Sequence, residues 1–198
     1  LNFFRSLLWK LSDKNIQNVF CNTHEQKKEL IEKKIFSPNK IEVLYDPVFN
    51  LSDISNERND NKFHDRFLKG NILLVGRLTK QKNFKLIINA FNELKEAELK
   101  NYKIFIIGEG EENHKLQQII YNLKLENSIF LLGSNKNVTK YYFNSKIFIL
   151  TSLWEDPGFV LIEAAINNCF IISSDCRSGP NEILEYGKGG LLFKNNNI

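Results

Sequence analysis

The sequence has little that could serve as a covalent or metallic staple. Its three cysteines, Cys21, Cys169 and Cys176, are an odd number and form no Cys-x-x-Cys pair. A disulfide framework and a zinc site are therefore not expected. Cys169 and Cys176 lie in or beside an apolar run and read as small buried hydrophobes, and a reducing cytoplasm fits best. No run of about 18 apolar residues occurs, so no helix is expected to span a membrane. No secretory leader pattern and no internal repeat are visible. No Asp-x-Asp pair stands after a strand, and no metal site is expected. Basic runs are also missing. With 27 Lys and Arg against 23 Asp and Glu, the formal net charge is +4 and the sequence pI is about 8.8. Such a balance suits an anionic small ligand or an anionic membrane surface, and no nucleic-acid partner is expected. The chain begins with Leu and stops straight after an apolar strand. The expectation is a piece truncated at both ends.

What is present is ordinary for a folded domain, with 42% hydrophobic and 25% charged residues. From Asn71 onward, short apolar runs read as buried strands: Ile72–Val75, Ile104–Ile107, Ile129–Leu132, Ile147–Leu150, Phe170–Ser173 and Leu191–Phe193. Between them lie segments of helical period. Phe84, Ile87, Ile88, Phe91 and Leu94 form one such stripe; Leu116, Ile119, Ile120 and Leu123 form another, and Val160, Leu161 and Ala164 a third. Alternating strands and helices imply an α/β fold, a Rossmann-like parallel sheet with helices on both faces. Ligands of such sheets bind outside the carboxyl ends of the strands. The first 45 residues read as helix (Leu1–Lys14), strand (Gln17–Cys21), helix (Glu25–Lys34) and strand (Ile41–Leu44). Thr23 and Gln26 make a capping-box signature. These pieces are the right size for the last units of a preceding domain. Residues 46–70, polar and opened by Asp46-Pro47, read as a linker.

Three stretches at strand ends carry candidate chemistry. In the first, Val75-Gly76-Arg77-Leu78-Thr79-Lys80-Gln81-Lys82-Asn83, two cations, Arg77 and Lys82, precede a helix start. Helix N-termini offer free N–H groups and partial positive charge, so this stretch could clamp a diphosphate. The second runs from Glu155 to Ala164. Pro157 suits a first helical turn and Gly158 close approach of a ligand. With a helix starting near Asp156, Glu163 would lie about two turns in, and Glu155 and Glu163 could accept from sugar and ribose hydroxyls. The third, Ser173 to Glu182, is a small polar loop on the same sheet edge. Read singly, each is also compatible with a solvated strand–helix loop.

Together these stretches resemble the large retaining glycosyltransferase family 4, the group 1 glycosyl transferases, with the GT-B fold of two facing Rossmann-like domains. The resemblance rests on Glu155-x7-Glu163 and its surroundings from Ser152 to Ala165. It rests also on Val75-Gly76-Arg77-Leu78, Gly108-Glu109-Gly110, Leu132-Gly133 and Ser174-Asp175-Cys176-x-x-Gly179-Pro180-x-Glu182. Ile41 to Val48 resembles the family's interdomain crossover, with Asp46 where Asn usually precedes Pro. The resemblance covers nearly the whole chain. It implies a remnant of the acceptor domain in residues 1–45 and a nucleotide-sugar-binding domain, truncated at its C-terminus, in 71–198.

The resemblance also implies roles. Arg77 and Lys82 would hold the donor diphosphate and stabilise it as it leaves, and Glu155 would face the donor sugar. Gly76, Gly158, Phe159 and Val160 would border the donor, Glu163 would bind the ribose, and Gly133, Ser134 and Val138 would flank the base. The expected reaction is transfer of a sugar, with retention, from a UDP- or GDP-linked donor to a glycan or lipid-linked acceptor in cell-envelope polysaccharide synthesis. No cofactor is implied. The expected place is the cytoplasm, at the inner face of the membrane, where Arg5, Trp9, Lys10 and Lys14 could form a basic-aromatic surface. With the acceptor domain's glycine-rich loop missing, residues 1–198 are expected to bind nucleotide without transferring sugar. A non-catalytic nucleotide-binding remnant is the alternative. Gly108-x-Gly110-x-x-Asn113 imitates a dinucleotide fingerprint, but it lacks the third Gly and no acid ends the next strand.

Overall fold

The computed structural model describes residues 3–48, 71–94 and 102–194. The first segment contains α1 (Phe3–Ser12), β1 (Val19–Cys21), α2 (His24–Glu32) and β2 (Ile41–Val43). The remainder contains β3 (Asn71–Val75), α3 (Phe84–Asn92), β4 (Lys103–Ile107), α4 (Asn113–Asn122), β5 (Ile129–Leu131), α5 (Thr139–Phe143), β6 (Ile147–Leu150), α6 (Val160–Ile166), β7 (Phe170–Asp175), α7 (Pro180–Ile183) and β8 (Leu191–Lys194). All six strands expected after Asn71 are present. Most of the expected linker, and the last four residues, lie outside the described residues.

The six strands form one sheet in the order β5-β4-β3-β6-β7-β8, and every pairing is parallel. The near-continuous apolar strands follow from this, because a parallel sheet is covered on both faces. In β3, alternation sends Ile72 and Leu74 to one face and Leu73 to the other. The first face packs with Ile104 and Ile106 beneath Phe84, Ile88 and Phe91 of α3 and Leu116 and Ile120 of α4. The second joins Leu73, Ile107, Phe148, Leu150 and Ile171 beneath Tyr142, Leu161, Ala164 and Leu184. The helices thus cover both faces. The strand order reverses direction between β3 and β6, so the loops after these two strands diverge and leave a crevice at the sheet edge.

The first segment forms its own small unit. β1 and β2 pair in parallel over a cluster of Cys21, Ile35, Phe36 and Ile41. Trp9 of α1 stacks on Phe36 at 5.9 Å between ring centroids. Trp9 is half-buried, and the Arg5 guanidinium lies over its ring at 5.4 Å, so two members of the expected basic-aromatic surface do meet. Phe4, Leu7, Leu8 and Leu11 of α1 are exposed.

One helix starts later than expected. α6 begins at Val160, not near Asp156. Gly158 sits at φ +96°, outside the right-handed helical region, so the helix cannot begin before it. Glu163 consequently lies in the first turn of α6 rather than two turns in, and Pro157 precedes the helix.

Candidate active site

The crevice after β3 and β6 opens into a cleft of about 1120 Å³. One wall is the first segment, with Trp9, Phe20, Asn22, Gln26 and Glu29; the other comes from Gly76, Arg77, Gln81, Lys82, Trp154, Glu155, Asp156 and Arg177. At the centre of the second wall is a buried ion pair. Lys82 Nζ lies 2.6 Å from Glu155 Oε1, with the side chains 12% and 5% exposed. Ser152, itself fully buried, donates its hydroxyl to the same carboxylate oxygen at 2.5 Å. Breaking such a pair leaves an uncompensated buried charge, whereas the intact pair is tolerated when its hydrogen bonds are complete.

Local sequence positions these groups. The Lys82 stem crosses Gly76, where a side chain would begin only 3.1 Å from Lys82 Cε. The Glu155 stem likewise packs against Gly158, where a Cβ would meet Glu155 Cγ at 3.2 Å. The two loops are tied across the strand-order reversal. Leu153 N–H donates to Gln81 O at 2.8 Å, Gln81 Nε2 to Trp154 O at 2.9 Å, and the Thr151 hydroxyl to Lys82 O at 2.7 Å. The third loop joins them when the Ser174 hydroxyl donates to Ser152 O at 2.7 Å and Glu155 N–H to Arg177 O at 3.0 Å. Gln81, Ser152 and Ser174 lie inside the motif stretches, but sequence reasoning assigns them no role, and it does not single out Thr151. A small or polar residue in a strand–helix loop is a signal that loops share generally.

Arg77 is exposed at the cleft wall. Among the charged side chains of the lining, Lys82 pairs with Glu155 and Arg177 with Glu29, and the exposed Arg77 and Asp156 are the remaining cation and carboxylate. Arg77 is the cation placed to meet an anionic ligand. Gly76, Arg77, Lys82 and Glu155 thus come together as expected. The other expected residues lie along the same edge but outside that lining. Glu163, half-buried in α6, neighbours the buried Tyr142; burial first, and then the Glu163 charge, push the Tyr142 hydroxyl well above its ordinary pKa. Phe159 caps α6 and Val160 opens it, where N–H groups lack intrahelical partners. Gly133 ends the edge beyond β5; its carbonyl accepts from Gly108 N–H at 2.9 Å, and the exposed Ser134 donates its N–H to Glu109 Oε1 at 3.3 Å. Val138 caps α5. Among the described residues no group of three or more His, Cys, Asp or Glu side chains is arranged to hold a metal ion.

Comparison with known proteins decides the family. The model described as "Glycosyl transferases group 1" matches residues 56–198. This chain belongs to the group 1 glycosyl transferases. Among curated relatives, an uncharacterised glycosyltransferase of Methanocaldococcus jannaschii is 34% identical over 205 residues, covering 95% of this chain and 50% of that protein. The N-acetylgalactosamine-N,N'-diacetylbacillosaminyl-diphospho-undecaprenol 4-alpha-N-acetylgalactosaminyltransferase of Campylobacter jejuni is 33% identical over 196 residues, covering 98% and 50%. The chain thus spans about half the length of these two relatives. The fold is shared with the crystal structure of S. aureus TarM in complex with Fondaparinux, alpha-GlcNAc-glycerol and UDP. There the TM-score is 0.80 at 22% identity, over 100% of this chain and 37% of that one. It is shared equally with Anabaena HepE in complex with UDP and glucose, at a TM-score of 0.78 and 19% identity, over 99% and 55%.

Proposed function

We propose that the cleft is the donor site of a retaining glycosyltransferase acting in cell-envelope polysaccharide synthesis, with a UDP- or GDP-linked sugar as donor. The observation that carries this reading is the Lys82–Glu155 pair with Arg77 beside it, at the carboxyl edge of the sheet where the strand order reverses. In transfer, the bond from the anomeric carbon to the diphosphate breaks and a bond to the acceptor hydroxyl forms. The hydroxyl proton passes to the departing phosphate. Charge grows on the phosphate oxygens, and Arg77 and Lys82 are placed to stabilise it without a metal or cofactor. Glu155, pinned by Lys82 and Ser152, borders the sugar together with Gly158. Glu163 takes the ribose hydroxyls from the start of α6, and Gly133, Ser134 and Val138 flank the base.

Retention is supported by the alpha linkages in the relatives' names, including a poly(ribitol-phosphate) alpha-N-acetylglucosaminyltransferase and a poly(glycerol-phosphate) alpha-glucosyltransferase. Common nucleotide sugars are alpha-linked at the anomeric carbon, so an alpha product keeps the configuration. Several relatives build envelope polymers, which supports a glycan or lipid-linked acceptor at the cytoplasmic membrane face. The apolar face of α1, with Arg5, Lys10 and Lys14 beside it, is the candidate peripheral contact, and co-sedimentation with anionic liposomes tests it. No helix among the described residues is long and apolar enough to cross a membrane.

Residues 1–198 by themselves are expected to bind the nucleotide without transferring sugar. Alignment of acceptor and donor supplies up to about 7–11 kcal/mol of a barrier in well-oriented systems, and this chain carries only part of an acceptor wall. Incubation with a panel of UDP- and GDP-sugars and a glycan acceptor tests this. Thermal stabilisation without product is the expected result; glycan product would show that the acceptor wall present is sufficient. No stabilisation by any nucleotide would contradict the donor-site reading.

A further inference from the structure

Helix α2 begins without enough local partners. Thr23 caps it conventionally, accepting from Gln26 N–H at 3.1 Å, and the Gln26 side chain accepts in return from Asn22 N–H at 3.0 Å. That leaves the N–H groups of His24 and Glu25, which no residue of the same segment satisfies. Both donate instead to one carboxylate 158 and 157 residues away: His24 to Glu182 Oε2 at 2.8 Å and Glu25 to Glu182 Oε1 at 2.7 Å. A carboxylate across two N–H groups at a helix N-terminus combines charge-assisted bonds with a favourable helix dipole.

The contact is reciprocal. Glu25 accepts the Ser178 N–H at 2.7 Å, Glu29 pairs with Arg177, and Gln26 donates to Asp156. Positions 25, 26 and 29 share one face of α2, and that face sits on the loops after β6 and β7. The same loops set Glu155. Arg177 O accepts the Glu155 N–H at 3.0 Å, and Trp154 forms a parallel bridge with Arg177. A continuous run of bonds therefore joins the start of α2 to the backbone of the buried Glu155.

We propose that Glu182 is a positioning residue, a latch that caps α2 from across the cleft and couples the seating of residues 3–48 to the placement of Glu155 in the donor site. The coupling to donor rests on the functional reading above; the latch itself does not. When the latch closes, the wall bearing Trp9 and Phe20 stands against the wall bearing Arg77 and Trp154. When it opens, water takes the place of Glu182 at the two helix N–H groups, and the charge-assisted bonds and their helix-dipole contribution are lost.

Amide hydrogen exchange on the protein, alone and with saturating UDP, tests both parts. Without ligand, Glu182→Ala is expected to speed exchange at His24 and Glu25 about tenfold or more, with β3 and β6 amides unchanged. Glu182→Gln, which keeps one acceptor oxygen, gives an intermediate rate and serves where the Ala variant fails to fold. Equal rates in wild type and variant, or acceleration spread evenly through β3 and β6, would overturn the latch. With UDP, exchange at His24 and Glu25 is expected to slow in wild type and to slow less in Glu182→Gln, which binds UDP with affinity reduced several-fold, as reciprocal coupling requires. The same UDP response in both proteins would overturn the coupling. Absence of UDP binding to wild type would count against the donor-site reading, and the ligand-free comparison would still decide the latch.

Discussion

At the scale of single residues, the two site cations are not equivalent. Arg77 is exposed, and its removal is expected to leave stability within about 0.5 kcal/mol of the wild type. Lys82 is inside, against Glu155 at 2.6 Å, and Lys82→Ala abandons a buried carboxylate. The expected cost is about 3–5 kcal/mol in urea denaturation. Lys82→Met combined with Glu155→Leu should recover most of it, since no charge is then left unpaired. A Lys82→Ala variant as stable as wild type would show that the pair is solvated in solution. The thiols make a second expectation. Burial pushes Cys169 and Cys176 up to about 11, so both stay protonated at pH 8 and only the thiolate reacts. Iodoacetamide at that pH should label neither until urea is added, as mass spectrometry would register.

At the scale of elements, α2 is the piece whose attachment depends on pH. Burial raises the Glu29 carboxyl, but hydrogen bonds from Arg177 and Lys33 outweigh it and leave the pKa below its ordinary value. A carboxyl depressed in the folded state stabilises fully above the ordinary Glu range. That contribution is lost as the pH falls through the lower, folded pKa. The acid limb of a melting-temperature profile should therefore be flatter in Glu29→Gln than in wild type; superimposable acid limbs would remove Glu29 from the attachment. Elements like α2 also show what could be read in advance. The six strands were legible because a doubly covered parallel sheet demands unbroken apolar runs. The Thr23–Gln26 cap was legible because its two partners are three residues apart. The start of α6 was not, because Pro157 suits a first turn and nothing local in the sequence marks the positive φ that Gly158 adopts. Nor was Glu182 as a cap for His24 and Glu25, since its partners lie more than 150 residues away and nothing local marks the pairing.

At the scale of the whole molecule, one sheet edge gathers three loops into a cleft that a small second unit walls. The gathering of Gly76, Arg77, Lys82 and Glu155 was legible from motif order along the chain, because parallel strands place every βα loop on one edge. The stacking of Trp9 on Phe36 was not, since it is a contact between elements distant in sequence. The exposed Arg77 makes a sharp demand. A nucleoside diphosphate should bind through its phosphates to Arg77, while the nucleoside lacks that contact. Isothermal titration calorimetry of UDP, GDP and the matching nucleosides into wild-type protein and Arg77→Ala is the most direct test. The account predicts that one diphosphate binds, that Arg77→Ala weakens it about 10- to 100-fold, and that nucleoside affinity barely changes. No binding of either diphosphate, or equal losses for diphosphate and nucleoside, would contradict it.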